Sequence, residues 1–119
     1  MEEVEKKVKW VPGVSPVTVV MITLNEAHNL HRVLDNLGGW AEDVYLIDSF
    51  STDATVSIAR SYGVNVIQRA FNGFGDQWNF ALSCVPESSK WTMKIDPDET
   101  LDEELKSSVS NATLKNDVN

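Results

Sequence analysis

The chain is poor in cysteine and has no long apolar run, and each lack excludes a class of protein. Its single cysteine, Cys84, excludes an internal disulfide and fits a reducing compartment. No apolar run approaches the roughly 18 residues that a membrane-spanning helix needs. The opening MEEVEKKVKW is charged throughout and lacks the apolar stretch of a secretory signal. We therefore expect a cytoplasmic protein and leave open whether it lies peripherally on the inner membrane.

Basic residues are scarce as well. The chain of 119 residues has 10 Lys and Arg against 18 Asp and Glu, which gives a formal net charge of −8 at pH 7. That charge argues against nucleic acid as a partner. The apolar content of 42% is high enough for a folded core, and the length fits one domain or part of one. If such an acidic chain binds a phosphorylated ligand, a bridging cation would reduce the repulsion between the two.

Short apolar runs alternate with amphipathic stretches along the chain. The first run, Val17 to Leu24, fits a strand covered on both faces, and the leucines and valine after it recur at helical spacing. Further strands are predicted at 44–47, 64–67 and 91–96, and further helices between 53 and 63, at 76–84 with Trp78, Ala81 and Leu82 inward, and after a capping box at 100–103.

This alternation predicts an α/β fold. Its core would be a Rossmann-like, mostly parallel sheet with strand order 3-2-1-4, flanked by helices. The chain divides into a lead-in at residues 1–16, an α/β unit at 17–110 and a polar tail at 111–119.

The stretch WTMKIDPDET ends the last predicted strand in three acids. Pro97 keeps Asp96 extended and interrupts the sheet ladder. In an extended chain Asp96 and Asp98 lie about 6.6 Å apart on one face. Their repulsion is only about 0.6 kcal/mol in bulk water, so a solvated turn without function is one interpretation. A site for Mg²⁺ or Mn²⁺, which bind through carboxylates and substrate phosphates, is the other.

Polar side chains follow three of the predicted strands at their carboxyl ends. Strands 2, 1 and 4 are neighbours in the order 3-2-1-4, and ligands of such sheets bind beyond the carboxyl ends at the switch point. The first two ends suit a nucleoside through directional hydrogen bonds, and a cation on the third would hold a diphosphate. The three groups are Thr23, Asn25 and Glu26, then Asp48, Ser49 and Ser51, then Asp96, Asp98 and Glu99.

Four ordered motifs carry a resemblance to a known family. Over roughly residues 17–105 the chain resembles the inverting family 2 glycosyltransferases of the GT-A fold, and most closely the branch with lipopolysaccharide core sugar transferases. The resemblance implies a partial GT-A domain that binds a nucleotide-diphosphate sugar, with a UDP-sugar the commonest donor in the family. The motifs are ITLNEAHNL, LIDSFSTDAT, NGFGDQWNFAL and KIDPDET.

The resemblance also implies roles by position. Asp96 and Asp98 match the DxD motif, with Asp98 as the direct ligand of Mg²⁺ or Mn²⁺, and Asp48 would contact the base or ribose. Gln77 stands where the family often has an arginine, which removes a cation near the phosphates. The implied substrate-binding residues are Thr23, Asn25, Glu26, Asp48, Ser51, Gln77, Asn79 and Asp96.

In the family, a later half supplies the acceptor site and the carboxylate general base. Only 20 residues follow Glu99 here, so we expect a donor-binding half whose catalytic base lies beyond the chain end. The acceptor would be a saccharide or a lipid-linked molecule, and apolar surface left uncovered would favour self-association. Two alternatives stay open. One is a catalytically incomplete nucleotide-sugar-binding module, and the other is a haloacid dehalogenase-type phosphatase with Asp96 as nucleophile.

Overall fold

Strands and helices alternate throughout the computed structural model, which describes residues 10–117. The four strands form one parallel sheet in the order β3-β2-β1-β4. The predicted α/β class and strand order are therefore confirmed. The elements are β1 (Val17–Thr23), α1 (Ala27–Leu37), β2 (Asp43–Asp48), α2 (Thr55–Ser61), β3 (Asn65–Gln68), α3 (Phe74–Cys84), β4 (Trp91–Lys94) and α4 (Glu103–Asp117).

The central strand β1 is covered on both faces, as its uninterrupted β-branched sequence predicts. Val19 and Met21 face a core shared with α1, α2 and the start of α4, whereas Val20 faces a smaller core with Ile47 and Ala81 of α3. The predicted inward face of α1 is confirmed, because its apolar side chains at helical spacing are all fully buried. They are Leu30, Val33, Leu34 and Leu37.

Part of the lead-in docks on the turn that follows α1. The indole N–H of Trp10 donates to the carbonyl of Ala41 at 3.1 Å, and the Gly13 N–H donates to the same carbonyl at 3.0 Å. The Ser15 hydroxyl donates to the Trp40 carbonyl at 2.8 Å. Residues 10–16 therefore pack on the domain, and residues 1–9 lie outside the described part of the chain.

Substitution of Gly13 by alanine should weaken this docking. A Cβ at position 13 would overlap the backbone of Trp40, so either the lead-in or the turn must shift. We expect the free energy of unfolding in urea to fall by about 1–3 kcal/mol, the usual range for overpacking. The control is Val14→Ala at an 84% exposed position, where a change within about 0.5 kcal/mol is expected. Equal midpoints for wild type and Gly13→Ala would contradict the docking.

The strand β4 is shorter than predicted. The Ile95 N–H still donates to the Val20 carbonyl at 3.1 Å, but the Asp96 N–H donates to the Glu99 carboxylate at 2.9 Å instead of to the sheet. The strand therefore ends at Lys94, whereas the sequence predicted that it would extend to Asp96.

The helix α3 also differs from its prediction. It begins at Phe74 rather than at position 76. Its fully buried residues are Gln77 and Ala81, whereas Leu82 is 42% exposed and was wrongly predicted to face inward. Ala81 packs against Val20 and Ile47 of the sheet, and Leu82, the next residue, lies about 100° further around the helix.

The last helix corrects two predictions. Asp102 caps α4, because its carboxylate accepts the Leu105 N–H at 2.7 Å, so the helix does not begin at a Thr100 capping box. The helix continues to Asp117 with Thr113 only 3% exposed, so residues 111–117 are helical rather than a separate polar tail. Residues 118 and 119 lie outside the described part. No helix within residues 10–117 has both the length and the apolarity needed to cross a membrane.

Large apolar side chains are exposed at scattered places. Val14 of the lead-in is 84% exposed, Phe74 at the start of α3 is 71% exposed and Leu114 of α4 is 61% exposed. Phe74 is in edge-to-face contact with Phe71, which is 43% exposed, with the ring centroids 5.0 Å apart. Nothing among the described residues shows what would cover this pair. Self-association therefore stays a prediction.

Candidate functional site

The carboxylate of Asp48 joins the ends of three strands. Asp48 is fully buried and lies opposite Thr23 in the β1–β2 register. Its Oδ1 accepts the Thr23 hydroxyl at 2.8 Å and the Ser51 hydroxyl at 2.5 Å. Its Oδ2 accepts the Ser51 N–H at 2.8 Å and the Gln68 side-chain amide at 3.3 Å. The ends of β1, β2 and β3 are thus held together through one side chain.

These four hydrogen bonds use the accepting capacity of the carboxylate, since each oxygen has two lone pairs. A nucleoside could bond to Asp48 only by displacing one of the four donors. The predicted contact of Asp48 with a base or ribose therefore stays a prediction. In the structure its carboxylate holds the ends of β1, β2 and β3 together.

The loop after β1 is locked to the loop after β2 by Asn25. Its backbone has φ +54°, a left-handed conformation that asparagine adopts more readily than most residues. Its side-chain oxygen accepts the N–H groups of Thr52 at 2.8 Å and Asp53 at 3.3 Å, and its own N–H donates to the Ser51 hydroxyl at 2.8 Å. The structure thus brings the predicted residues Thr23, Asn25, Asp48 and Ser51 together.

The first turn of α1 is bound by the same second loop. The Ala27 N–H donates to Asp53 Oδ2 at 3.1 Å, and the Glu26 N–H donates to the Thr55 hydroxyl at 2.9 Å. Asp53 Oδ1 accepts the Thr55 N–H at 2.9 Å and also the Thr55 hydroxyl. The Glu26 carboxylate itself accepts only a long bond from Asn29 at 3.4 Å among the described residues, and its predicted role in the nucleotide pocket stays a prediction.

Asp53 should make the stability of the fold depend on pH. The Thr55 hydroxyl bond, followed by the N–H bonds of Thr55 and Ala27, holds the pKa of Asp53 below its ordinary value. A lowered folded-state pKa adds stability above the unfolded pKa of about 3.9, and that stability is lost as pH falls through the folded pKa.

We therefore expect wild type to be more stable than Asp53→Asn at pH 6 in urea titrations, with the difference shrinking as the pH is lowered below about 4. Glu104→Gln, which removes one negative charge from an exposed position of α4, serves as the control for loss of one charge. A wild-type advantage that does not change between pH 6 and acid would contradict the assignment to Asp53.

Arg69 is a site residue to which the sequence analysis gave no role. It follows β3, and its guanidinium pairs with Asp76 at 2.5 Å and donates to Gln77 Oε1 at 3.0 Å. Gln77 is fully buried and donates in turn to the Ser49 hydroxyl at 3.3 Å and to the Arg69 carbonyl at 3.1 Å. The resemblance implies that Gln77 replaces an arginine of the family, so that a cation near the phosphates is missing at this position. The guanidinium of Arg69 lies directly beside Gln77 and provides a cation there.

The other predicted residue of α3, Asn79, lies apart from this network. It is exposed and follows Gln77 by two positions, about 200° around the helix. Its predicted role in substrate binding stays a prediction.

The acid turn, residues 96–99, lies on the other side of β1. Lys94 is opposite Val20 in the β1–β4 register, so Asp96 comes level with the last residues of β1. Asp96 and Asp98 are both exposed, whereas Pro97 between them is buried. Since β1 separates β2 from β4, the Asp48 and Asp96 strand ends are about 10 Å apart, which is two strand spacings.

The acid turn is chemically suited to a hard cation. Within residues 10–117, no cluster of three or more His, Cys, Asp or Glu side chains is close enough together to bind a metal. Glu99 is also exposed, but it turns back to accept the Asp96 N–H, which leaves Asp96 and Asp98 as the exposed carboxylates of the turn without a described hydrogen bond. Mg²⁺ is bound through one or two carboxylates, with waters and ligand phosphates in the other positions. Two exposed carboxylates therefore fit Mg²⁺ or Mn²⁺ when a phosphate ligand completes the coordination.

Comparison with solved structures gives the class of fold, which is that of the GT-A glycosyltransferases. S. aureus TarS 1–349 aligns over 85% of this chain and 32% of its own, with 22% identity and a TM-score of 0.69. Glucosyl-3-phosphoglycerate synthase from Mycobacterium tuberculosis aligns over 71% of this chain and 35% of its own, with 23% identity and a TM-score of 0.58. The chain corresponds to part of the GT-A domain.

The family follows from the sequence. Residues 18–118 match the model of glycosyl transferase family 2, and the chain belongs to this family. An uncharacterized glycosyltransferase of Rickettsia felis is 36% identical over 94 residues, which are 78% of this chain and 32% of that protein. The lipopolysaccharide core biosynthesis glycosyltransferase LpsC of Rhizobium meliloti is 32% identical over 96 residues, 76% of this chain and 34% of its own. The chain thus spans about a third of the length of these relatives, and the phosphatase interpretation of Asp96 is set aside.

Proposed function

We propose that this chain binds a nucleotide-diphosphate sugar at the carboxyl edge of its sheet and serves as the donor side of a glycosyl transfer. The observation that carries the proposal is the convergence of three strand ends, with the Thr23–Asp48 network on one side of β1 and the exposed Asp96 and Asp98 on the other. TarS has been solved with UDP-GlcNAc, and the mycobacterial synthase with Mn²⁺ and UDP. These complexes support a UDP-sugar as the donor.

The two sides of this edge suit the two parts of such a ligand. The half-buried Ser49 hydroxyl and the 31% exposed Arg69 side chain border the side expected for the nucleoside, where hydrogen bonds give selectivity. Asp96 and Asp98 would hold Mg²⁺ or Mn²⁺ beside the diphosphate. When bound, that cation supplies Lewis-acid stabilisation of the leaving diphosphate. Asn25, Ser51 and Gln77 keep the surrounding loops in place.

We propose further that the general base for transfer is not among residues 10–117. Three carboxylates near the edge are already engaged, a fourth, that of Glu99, accepts the Asp96 N–H, and Glu26 is predicted to line the nucleotide pocket. Asp48 accepts four hydrogen bonds, Asp53 caps α1, and Asp76 pairs with Arg69. Asp96 and Asp98 are assigned to the cation. Deprotonation of an acceptor hydroxyl, on a saccharide or a lipid-linked molecule, then depends on a carboxylate outside this part of the chain.

The alternative within the same family is a module that binds nucleotide sugar without turnover. Both alternatives predict the same donor site. They differ in turnover: a transferase releases UDP from a UDP-sugar when an acceptor is present, and a binding module does not. A coupled assay for free UDP on the full chain measures this difference.

The proposal is tested by calorimetric titration of the chain with UDP in the presence and absence of Mn²⁺. We expect UDP to bind more tightly with Mn²⁺, and GDP and ADP to bind more weakly than UDP. If no nucleoside diphosphate binds under either condition, donor binding by this chain is contradicted.

A further inference from the structure

The helix α1 contacts the acid turn and the residues directly after it through two side chains on one face. Asn36 exchanges two hydrogen bonds with the backbone of Leu101, accepting its N–H at 2.8 Å and donating to its carbonyl at 2.8 Å. Arg32, one helical turn earlier, donates to the carbonyl of Asp98 at 3.1 Å. Residues four positions apart lie on the same side of a helix, so both side chains contact one segment, residues 98–101.

The position of α1 itself is fixed from three directions. Its apolar face is fully buried against the sheet, as described above. Its first turn is bound to Asp53 and Thr55 of the loop after β2. At its other end, the carbonyl of Asn36 accepts the ammonium of Lys106, a side chain of α4 that is only 8% exposed. The helix therefore connects the β2 side of the carboxyl edge to the acid turn as one rigid element.

The contacts from α1 hold a turn that carries two exposed charges of the same sign. Asp96 and Asp98 are exposed like charges on a short turn, and neither carboxylate accepts a hydrogen bond from another described residue. A ligand that binds to a mobile turn must order it, and that cost lowers the affinity, whereas a turn already held in place avoids it. Backbone clamping by Asn36 and Arg32 limits this cost without using the carboxylates.

We infer that Asn36, assisted by Arg32, is a positioning residue that holds the acid turn ready for a divalent cation and its diphosphate. The inference rests on the proposed donor site. Asn36 touches neither carboxylate; it acts through the backbone of residues 98–101. Residues that orient metal ligands typically change metal affinity by about 10–100-fold when they are replaced.

The test compares Asn36→Asp with wild type. This substitution keeps the size of the side chain and an acceptor for the Leu101 N–H, but it places an oxygen where a donor faced the Leu101 carbonyl. Mn²⁺ affinity is measured by electron paramagnetic resonance on the chain saturated with UDP, and UDP affinity is measured separately without metal. We expect Mn²⁺ affinity to fall about 10–100-fold and metal-free UDP affinity to stay within about twofold. Arg32→Gln, at an exposed position, should lower Mn²⁺ affinity in the same direction by a smaller factor.

Asn65→Ala is the matched control. Asn65 also donates from its side chain to a backbone carbonyl, that of Val44 at 3.1 Å, but it lies at the start of β3, away from the acid turn. The Mn²⁺ affinity of the Asn65→Ala chain should equal that of wild type. The Glu99 N–H, which donates to the Asp96 carbonyl at 2.9 Å, reports on the order of the acid turn, and its exchange with deuterium should become faster in Asn36→Asp only.

The outcomes separate the inference from the proposal on which it rests. If wild type shows no Mn²⁺-dependent UDP binding, the donor site itself is contradicted. If wild type shows it and Asn36→Asp retains wild-type Mn²⁺ affinity, the positioning role is overturned and the donor site stands. Equal losses of metal-free UDP affinity and of Mn²⁺ affinity in Asn36→Asp would also overturn it, because they indicate a general structural role.

Discussion

Replacement of Asp98 by asparagine should abolish the gain in UDP affinity that Mn²⁺ provides. The asparagine keeps the shape of the side chain but removes the negative charge that a hard cation requires in a ligand set of so few carboxylates. Because Asp98 is exposed and its carboxylate has no described partner, the free energy of unfolding should change by no more than about 0.5 kcal/mol. We expect Mn²⁺ affinity of the UDP-bound chain to fall on the order of 100-fold, which is about 2.8 kcal/mol.

The measurement is a pair of calorimetric titrations with UDP, with and without Mn²⁺, for each variant. Glu104→Gln, which removes one negative charge from an exposed position of α4, is the control and should behave as wild type. Asp96→Asn should reduce the metal-dependent gain as well. An Asp98→Asn chain with the full wild-type gain would show that Asp98 is not a metal ligand.

Replacement of Asp48 by alanine should have the largest effect on stability. Asp48 is fully buried, and its loss would leave the Thr23 hydroxyl, the Ser51 N–H and the Gln68 amide without their shared acceptor. A buried donor without a partner costs about 1–3 kcal/mol. Thr23 is buried, Ser51 is half-buried and Gln68 is exposed, so we expect the free energy of unfolding to fall by about 2–4 kcal/mol. Urea titration followed by circular dichroism measures this loss.

Two further variants make the result interpretable. Thr23→Val removes only one donor of the network and should cost about 1 kcal/mol, so it reports on the network even if Asp48→Ala does not fold. Asp43→Asn, at the opposite end of β2, should cost less than Asp48→Ala, because among the described residues the Asp43 carboxylate accepts only the Val44 N–H. If Asp48→Ala keeps wild-type stability but loses UDP affinity, Asp48 contacts the ligand and is not needed to hold the strand ends together.

The fold could be predicted because its signals are local. The continuous β-branched run of β1 identifies a strand buried on both faces, and the four buried positions of α1 follow the helical period. Once strands and helices alternate, the handedness of the crossovers leaves few strand orders. The acids at the end of β4 and the polar residues after β1 and β2 could likewise be located, because their position at strand ends is visible in the sequence.

The contacts that hold the site together could not be predicted, because they join distant parts of the chain. Asn36 and Leu101 are 65 positions apart, and no periodic pattern relates them. Gln77 is a polar residue that is fully buried, and its burial depends on Ser49 and Arg69 being close enough to bond to it. Local reading of α3 therefore placed the apolar Leu82 inward, although it is 42% exposed.

The most direct test of the donor site is its location, which Mn²⁺ can report through paramagnetic broadening of amide signals in the ¹⁵N-labelled chain. With UDP present, we predict the strongest broadening at residues 96–99 and weaker broadening at the end of β1. Signals at the opposite edge of the sheet, such as those of Asp43 and Ser89, should stay sharp. Broadening centred on that opposite edge, or equal broadening throughout the chain, would contradict a metal-bridged nucleotide site at the carboxyl ends of the strands.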